Sequence, residues 1–296
     1  MRVIRLAGAL VLAAAACAEN PDGAAVLARI RTVVRRHLSS LPNYTCVETL
    51  ERRMRSPRAK AFAPIDRVRF EVALVDGAEL YAWPGSPKFE GRDLSELVGT
   101  GSETGDFAMH TRAIFDSPEP VYTYRGRELL DGRPAEKFHF VVPRARSGFA
   151  VRYEKSQGAV GYEGDFWNDA ETLEVRRIEF QANDIPDHLP VAALHKRLDF
   201  APVRLGAAAH TLPARSETLM RYTAGGEFQM LTTFSGCRQY TGESTLIFDE
   251  PAPEAAPSAA PGDITLPPGV DLHLKLMDTL DARTVARGDV SVWLVE

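Results

Sequence analysis

The sequence predicts an α+β protein that is mainly antiparallel β. Three observations lead to this prediction. A single amphipathic helical pattern lies near the N-terminus, a series of alternating apolar and polar stretches joined by turn signals follows it, and a Pro/Ala-rich stretch separates these from a short C-terminal region. Strands that are apolar on one face need a cover over that face, and the N-terminal helix is available as the cover.

The N-terminus has the pattern of a secretory signal peptide, which we assign to residues 1–18. Two arginines precede an apolar stretch at 6–16, and small residues follow it. Two cleavage sites remain open. Cleavage after Ala18 releases a soluble chain, whereas cleavage before Cys17 leaves a cysteine that would carry a lipid anchor. Both predict export to the periplasm or cell envelope of a bacterium, and no later apolar run is long enough to span a membrane.

The helix is predicted at residues 22–39, with Asp22 as its N-cap and Pro42 as its stop. Apolar residues recur along it at helical spacing: Val26, Leu27, Ile30, Val33, Val34 and Leu38. The formal net charge of the chain is −5, but residues 29–60 contain nine Arg or Lys and two Glu. We expect this basic region to face solvent, with peripheral contact to an anionic membrane as the alternative.

Strands dominate the rest of the chain. RVRFEVALV alternates apolar and charged residues, and hairpin turns are predicted at Asp76-Gly77, at Asp131-Gly132 and near 168–172. The apolar phase slips at Arg176-Arg177, which predicts a β-bulge. Further strands are predicted at 191–200, 215–223, 227–237 and 240–248, and residues 93–115 look partly helical. These patterns divide the chain into a main domain at 19–249, a Pro/Ala-rich linker at 250–263 and a small β module at 264–296 that is not necessarily complete.

The mature chain keeps Cys46 and Cys237 in an oxidising compartment. Cys46 lies on the first predicted strand and Cys237 on a late one, and the first and late strands of a curved meander can approach one another. We therefore predict a Cys46–Cys237 disulfide, which in the chain-entropy model stabilises the fold by about 4–5 kcal/mol at most.

No catalytic or metal site is predicted, and we expect a protein that is not an enzyme and needs no cofactor. The seven histidines lack the spacings typical of zinc ligands, and no G-x-S-x-G motif occurs. GTGSETG at 99–105 lacks the Lys-Ser/Thr of a P-loop. Asp165, Asp169 and Glu171 are close in sequence, but Asp169 and Glu171 fall at a predicted turn, where such residues bond the local backbone.

Four aromatic residues are candidates for a ligand cleft: Tyr81, Trp83, Phe166 and Trp167. The alternative is that they pack in the core and at the rim of the sheet, as aromatic residues commonly do.

Several stretches resemble known envelope proteins. GDFWNDAETLEVRRIEF is similar to the "strand, W-x-D-x-x-T, strand" hairpin of the periplasmic lipoprotein carriers and sensors of the LolA/LolB/RseB type, and VDGAELYAWPG and GRELLDGRPAEKFHFVVP resemble the repeated hairpins of that class. PNYTC and CRQYTGES resemble secreted bacterial proteins of unknown function. LPPGVDLHLKLMDTLDARTVARGD resembles small β modules of bacterial envelope proteins.

The carrier resemblance covers roughly residues 60–250. It implies a curved antiparallel sheet, or half-barrel, that wraps over helices and encloses an apolar cavity. The cysteine pair and the long segment at 182–215 depart from the carriers, so lipoprotein transfer does not carry over, and only the binding of something apolar does.

Three hypotheses of function follow. The first is a non-enzymatic periplasmic or envelope protein that binds a lipid or lipidated partner in the half-barrel cavity. The second is a structural or interaction protein of the envelope whose sheet is filled by its own helices. The third, a hydrolase built from scattered residues, has no recognisable catalytic motif in its favour. None of the three involves nucleic acid.

Overall fold

The computed structural model describes residues 22–86, 89, 94, 109–154, 156–240 and 273–295 of the chain. Several sequence-based predictions lie outside these residues: the signal peptide at 1–18 with Cys17, the glycine-rich stretch at 99–105, the linker at 250–263 and all but the first residue of the strand at 240–248.

Helices in the described residues are α1 (Gly23–Ser40) and α2 (Met109–Phe115), with a 3-10 turn at Arg144–Arg146. The strands are β1 (Tyr44–Arg55), β2 (Ala63–Val75), β3 (Ala78–Ala82), β4 (Val121–Leu130), β5 (Arg133–Val142), β6 (Ala150–Tyr153), β7 (Ser156–Ala159), β8 (Gly161–Asp169), β9 (Val175–Asn183), β10 (Val191–Leu205), β11 (Ala208–Tyr222), β12 (Glu227–Gln239), β13 (Leu274–Leu276) and β14 (Trp293–Val295). No helix in this part of the chain is long and apolar enough to cross a membrane.

Ten of the strands form one curved, open, antiparallel sheet in the order β3-β2-β1-β12-β11-β10-β9-β8-β5-β4. The first long strand therefore pairs with the last long one, and β3 and β4 lie at the two ends of the sheet within the described residues. This confirms the predicted α+β class with a curved antiparallel sheet covered by an N-terminal helix.

The predicted turns and bulge are present. Asp76 and Asp131 have φ of 50°, followed by glycines at positive φ, which is the backbone of a type I′ hairpin turn. The pairing of β8 with β9 skips Arg176, so this residue is the bulge that the slipped apolar phase predicted. The β10–β11 hairpin, which turns at Gly206, is several residues longer than the sequence indicated.

Helix α1 packs across the inner face of the sheet, the face on which the core lies. The side chain of Asp22 caps the helix by accepting a hydrogen bond from the backbone N–H of Ala24 at 3.1 Å. Val26, Ile30 and Val34 are buried against the sheet, as the helical periodicity predicted.

Two apolar clusters make up most of the core. The helix-side cluster joins α1 and α2 to β4, β5, β8, β9 and β10, with Phe138, Phe166 and Ile178 at its centre. The disulfide-side cluster lies on β1, β2, β3, β11 and β12 and includes Cys46 and Leu50.

The predicted disulfide is present between Cys46 on β1 and Cys237 on β12. These strands are neighbours in the sheet, and the pairing slips between Thr45 and Val47, where Cys237 lies opposite. Cys46 is almost completely buried in the disulfide-side cluster, which makes it a structural residue.

Two arginines of the basic region at 29–60 make contacts within the protein. Arg31 donates from Nε to the carbonyl of Phe115 at 2.9 Å and from Nη2 to the carbonyl of Ser117 at 3.0 Å. Arg35 pairs with Asp116 at 2.9 Å. These arginines thus hold the C-terminal end of α2, where the helix dipole favours positive charge, and they tie the two helices together.

The C-terminal region forms the β13–β14 pair and a segment that docks on β2. Arg287 makes a parallel bridge with Val68, donating to the carbonyl of Arg67 at 2.8 Å and accepting from the N–H of Arg69 at 2.7 Å. This contact lies beyond the end of β3, so the segment covers the part of the β2 edge that β3 leaves unpaired.

Candidate functional site

The candidate site is a small cavity, which we call the seam, between the C-terminal half of α1, Thr111 of α2 and the facing strands. It is lined by Val33, Val34, His37, Leu38, Leu41, Thr111, Glu174, Val175, Phe200, Thr211, Leu212 and Pro213. Val34 and Phe200 pack with the helix-side cluster, and Leu41 and Leu212 pack with the disulfide-side cluster. The seam is therefore the place where the two halves of the core meet.

The volume of the seam is about 20 Å³. That is enough for about one water molecule and far too small for an acyl chain. In this closed arrangement, side chains fill most of the space between α1 and the sheet.

Polar groups interrupt the apolar wall of the seam. Nε2 of His37 and Oγ1 of Thr111 are buried, and neither has a hydrogen-bond partner within the described residues. Burial lowers the pKa of the His37 imidazole, and the charge of His210 acts in the same direction. A hydrogen bond with the backbone of Thr211 and the carboxylate of Glu174 act in the opposite direction. His37 and His210 have ring centroids 5.8 Å apart.

Near the seam, the inner face of the sheet changes from apolar to polar. Two neighbouring rows of side chains cross the strands there. The hydroxyl row runs Leu198, Ser216, Thr232, Leu50 and Val68, and the cation row runs Lys196, Thr218, Met230, Arg52 and Asp66.

The polar side chains of these rows are deeply buried. Ser216 and Thr232 are each 1% exposed, Lys196 is 2% exposed and Arg52 is 6% exposed. Lys196 donates from Nζ to Oγ1 of Thr218 at 3.4 Å. Arg52 bonds both carboxylate oxygens of Asp66, at 2.7 and 2.5 Å, and this holds the pKa of Asp66 below its ordinary value.

The aromatic residues predicted to line a cleft lie in separate places. Phe166 is at the centre of the helix-side cluster, stacked on Phe138. Trp167, the next residue along β8, points to the opposite face, where Nε1 donates to Glu128 at 2.7 Å and the ammonium of Lys137 lies 4.9 Å from the ring centroid.

Tyr81 and Trp83 are at the other end of the sheet. Tyr81 is buried against Phe70 in the disulfide-side cluster. Trp83 lies against the docked C-terminal segment, with the guanidinium of Arg287 5.3 Å from its ring centroid. None of the four aromatic residues lines the seam, because the alternation of β8 and the position of β3 send them to different faces and edges.

The acidic residues near the β8–β9 turn have structural contacts. Asp169 accepts hydrogen bonds from the backbone N–H groups of Glu171 and Thr172, both at 3.0 Å, as expected for a turn residue. Asp165 bonds His139 at 2.9 Å. Among the described residues, no three His, Cys, Asp or Glu side chains converge as a metal site.

The sequence contained partial signals for the seam. The helical periodicity indicated Val34 and Leu38, but the strand residues that face them, Phe200 and Leu212, belong to a hairpin whose length was underestimated. A serine and two threonines at the inward positions of β11 and β12 (Ser216, Thr218 and Thr232) were a usable signal, since inward positions of a sheet are normally apolar.

No family model and no curated protein matches the chain. Solved structures do match. A LolA superfamily protein from Nitrosomonas europaea is 12% identical, with 74% of this chain and 93% of that chain covered and a TM-score of 0.34. A DUF1329 family protein from Desulfovibrio piger is 14% identical, covering 76% and 97%, with a TM-score of 0.35.

A third match is the lipoprotein LppX from Mycobacterium tuberculosis, which is 11% identical, covering 75% and 99%, with a TM-score of 0.26. All of these TM-scores are below 0.5 and the identities are 14% or lower, so the function is inferred below from the geometry of this chain.

Proposed function

We propose that this protein is a non-enzymatic, exported envelope protein that binds the apolar chain of a lipid or of a lipidated partner between α1 and the inner face of its sheet. The observation that carries the proposal is the seam, an apolar-walled cavity between the two helices and the open sheet. Within the described residues, the buried Thr111 hydroxyl and Nε2 of His37 have no hydrogen-bond partner, which has a cost in the closed state that an occupant or water could offset.

Because the closed seam holds about 20 Å³, a chain enters only if α1 moves away from the sheet. The N-terminal part of α1 is anchored by fully buried residues such as Ile30 and by the arginine contacts to α2. Val34 is also buried and Arg35 pairs with Asp116, whereas His37 and Leu38 are only half buried and Ser39 and Ser40 are exposed. We therefore expect the last turn of the helix to open first.

Export is supported by the disulfide. Cys46 and Cys237 bond across two neighbouring strands in the core, and such a bond persists in an oxidising compartment such as the periplasm. Together with the signal peptide predicted at residues 1–18, this favours the periplasm or envelope.

The test is to express the full chain through its own signal peptide and to analyse the purified protein by native mass spectrometry and lipid extraction. We expect acyl lipid to copurify. Val33→Trp fills the seam and should lower the lipid-bound fraction about tenfold. Ala28→Trp adds the same side chain at an exposed position of α1 and should leave the bound fraction unchanged.

The second candidate function is a structural envelope protein without a ligand, and the small volume of the seam favours it. Protein that carries no lipid after purification, and takes up none when incubated with fatty acid or phospholipid, would establish this alternative and refute lipid binding.

A further inference from the structure

We propose that the tip of the β1–β2 hairpin, residues 54–65, contacts the surface of a membrane that contains anionic lipid. Exposed cations and exposed apolar side chains occur together on this hairpin tip, and the sequence between Glu51 and Asp66 has no acidic residue. The contact is a separate surface of the protein and does not depend on lipid binding in the seam.

The structure divides the cations of the basic region at 29–60 into two groups. One group has a carboxylate or carbonyl partner within the protein: Arg31, Arg35, Arg52, Arg53 and Arg55. The other group makes no ion pair within the described residues: Arg29, Arg36, Arg58 and Lys60. The first two of these lie at exposed positions of α1, and the last two lie in the hairpin tip.

The hairpin tip has a local excess of positive charge. Arg58 and Lys60 are two residues apart in the loop, and residues 56–61 are all exposed. The carboxylate of Glu227 on the neighbouring strand pairs with Arg55, and the cross-strand partner of Glu227 on β11 is another exposed cation, Arg221. Among the described residues, the carboxylate at this end of the strands is therefore outnumbered by cations, which anionic head groups would neutralise.

Apolar side chains flank these cations. Met54 is 43% exposed and Ile65 is 51% exposed. The pairing of β1 with β2 skips Ile65, so this residue is the extra one of a β-bulge, and a bulge changes the direction in which a side chain points. Phe62 is half buried, with the guanidinium of Arg55 5.0 Å from its ring centroid. Apolar side chains beside cations suit the boundary between lipid head groups and acyl chains.

The small size of the hairpin tip favours a membrane over an acidic protein as the partner. A specific protein interface buries about 800 Å² on each partner, usually with matching shapes. A single exposed loop of residues 56–62 offers a small convex surface instead. A bilayer surface requires no matching groove, and it can neutralise the cations and accept the apolar side chains at the same time.

The experiment is flotation of the full chain, exported through its own signal peptide, with two kinds of vesicle. One is phosphatidylethanolamine mixed with phosphatidylglycerol, and the other is phosphatidylcholine alone. We expect wild-type protein to bind the anionic vesicles at least tenfold more strongly than the neutral ones. This preference should disappear between about 0.01 M and about 1 M salt, as the Debye length falls from about 30 Å to about 3 Å. A lipid anchor would hold the protein on both kinds of vesicle, so the preference reports the charge alone.

The main variant is Arg58→Ser with Lys60→Ser, which should bind the anionic vesicles about tenfold more weakly than wild type. The matched control is Arg29→Ser with Arg36→Ser. It removes the same charge from exposed positions of α1 and should bind as wild type. Ile65→Ser should weaken binding to the anionic vesicles about threefold and keep the dependence on salt, because it removes only an apolar contact.

Several results would overturn the proposal. Equal binding to anionic and neutral vesicles, or to neither, would refute a contact based on charge. Equal losses in the two double variants would assign the binding to the net charge of the protein and not to the hairpin tip. Retention of the protein on polyglutamate but not on vesicles would identify an acidic protein as the partner. Val33→Trp, which fills the seam, should bind the vesicles as wild type, so a failure of lipid binding in the seam leaves this proposal standing.

Discussion

Arg31 on α1 donates a hydrogen bond from Nε to the carbonyl oxygen of Phe115, the last residue of α2, at 2.9 Å. This contact joins two helices that lie far apart in sequence and makes them one cover over the helix-side half of the sheet.

Replacing Arg31 by alanine should therefore loosen the cover. The change removes two charge-assisted hydrogen bonds from half-buried carbonyls, and we expect the free energy of unfolding to fall by about 1–3 kcal/mol in urea titrations. Arg29→Ala, at an exposed position of the same helix, should change it by less than about 0.5 kcal/mol. Equal effects of the two substitutions would show that the contact with Phe115 is unimportant for stability.

The disulfide should contribute strongly to stability. Cys46 and Cys237 are separated by 191 residues, so the bond closes a loop that contains almost the whole sheet. We expect Cys46→Ala with Cys237→Ala to lower the free energy of unfolding by about 2–5 kcal/mol. The measurement is urea denaturation of both proteins with and without a reducing agent. A wild-type midpoint that does not respond to reduction would contradict this expectation.

Mild acid should weaken the packing of α1 through His37. Its pKa lies below the ordinary value of 6.5 in the folded protein, so the unfolded chain takes up a proton first as the pH falls. The contribution of His37 to the free energy of unfolding is therefore fully present above about pH 6.5. It is lost as the pH falls from there towards the pKa of His37 in the folded protein. The carboxylates with lowered pKa, such as Asp66, lose their contribution only at lower pH, near and below their ordinary range.

We expect the urea midpoint of wild-type protein to fall between pH 7.5 and pH 5.5, and His37→Leu to reduce that fall. An identical pH dependence in the two proteins would assign the effect to other groups.

The docking of the C-terminal segment depends on a glycine. Gly288 has φ of 103°, and a Cβ there would lie 1.9 Å from the carbonyl oxygen of Arg69 and 2.8 Å from the ring of Trp83. Gly288→Ala should release the segment from β2, which limited proteolysis of residues 273–295 would detect. Gly126→Ala is the matched control, because Gly126 also has a positive φ, of 94°, but has open space around it. Equal protection of the two variants would contradict the docking.

Much of the fold followed from local patterns. The apolar period of α1, the Asp-Gly turns and the phase slip at Arg176 depend on interactions between residues close in sequence, and each was recovered at the right place. The disulfide followed from export and from the positions of two cysteines on the first and a late strand. The length of the β10–β11 hairpin was missed because its extension beyond Phe200 has no clean alternation.

The sequence by itself thus determined the helix, the order of most hairpins and the disulfide between β1 and β12. Only the tertiary structure decided which side chains lie opposite one another across the strands and which face of the sheet each one occupies. Ser216 lies opposite Thr232 because of the register between β11 and β12. Trp167 packs with Leu130 and Ala135 on the other face of the sheet because Phe166 takes the inward position on β8. The seam exists because α1 crosses two clusters that are brought together by pairing over long sequence distances, and such pairing leaves no local pattern in the chain.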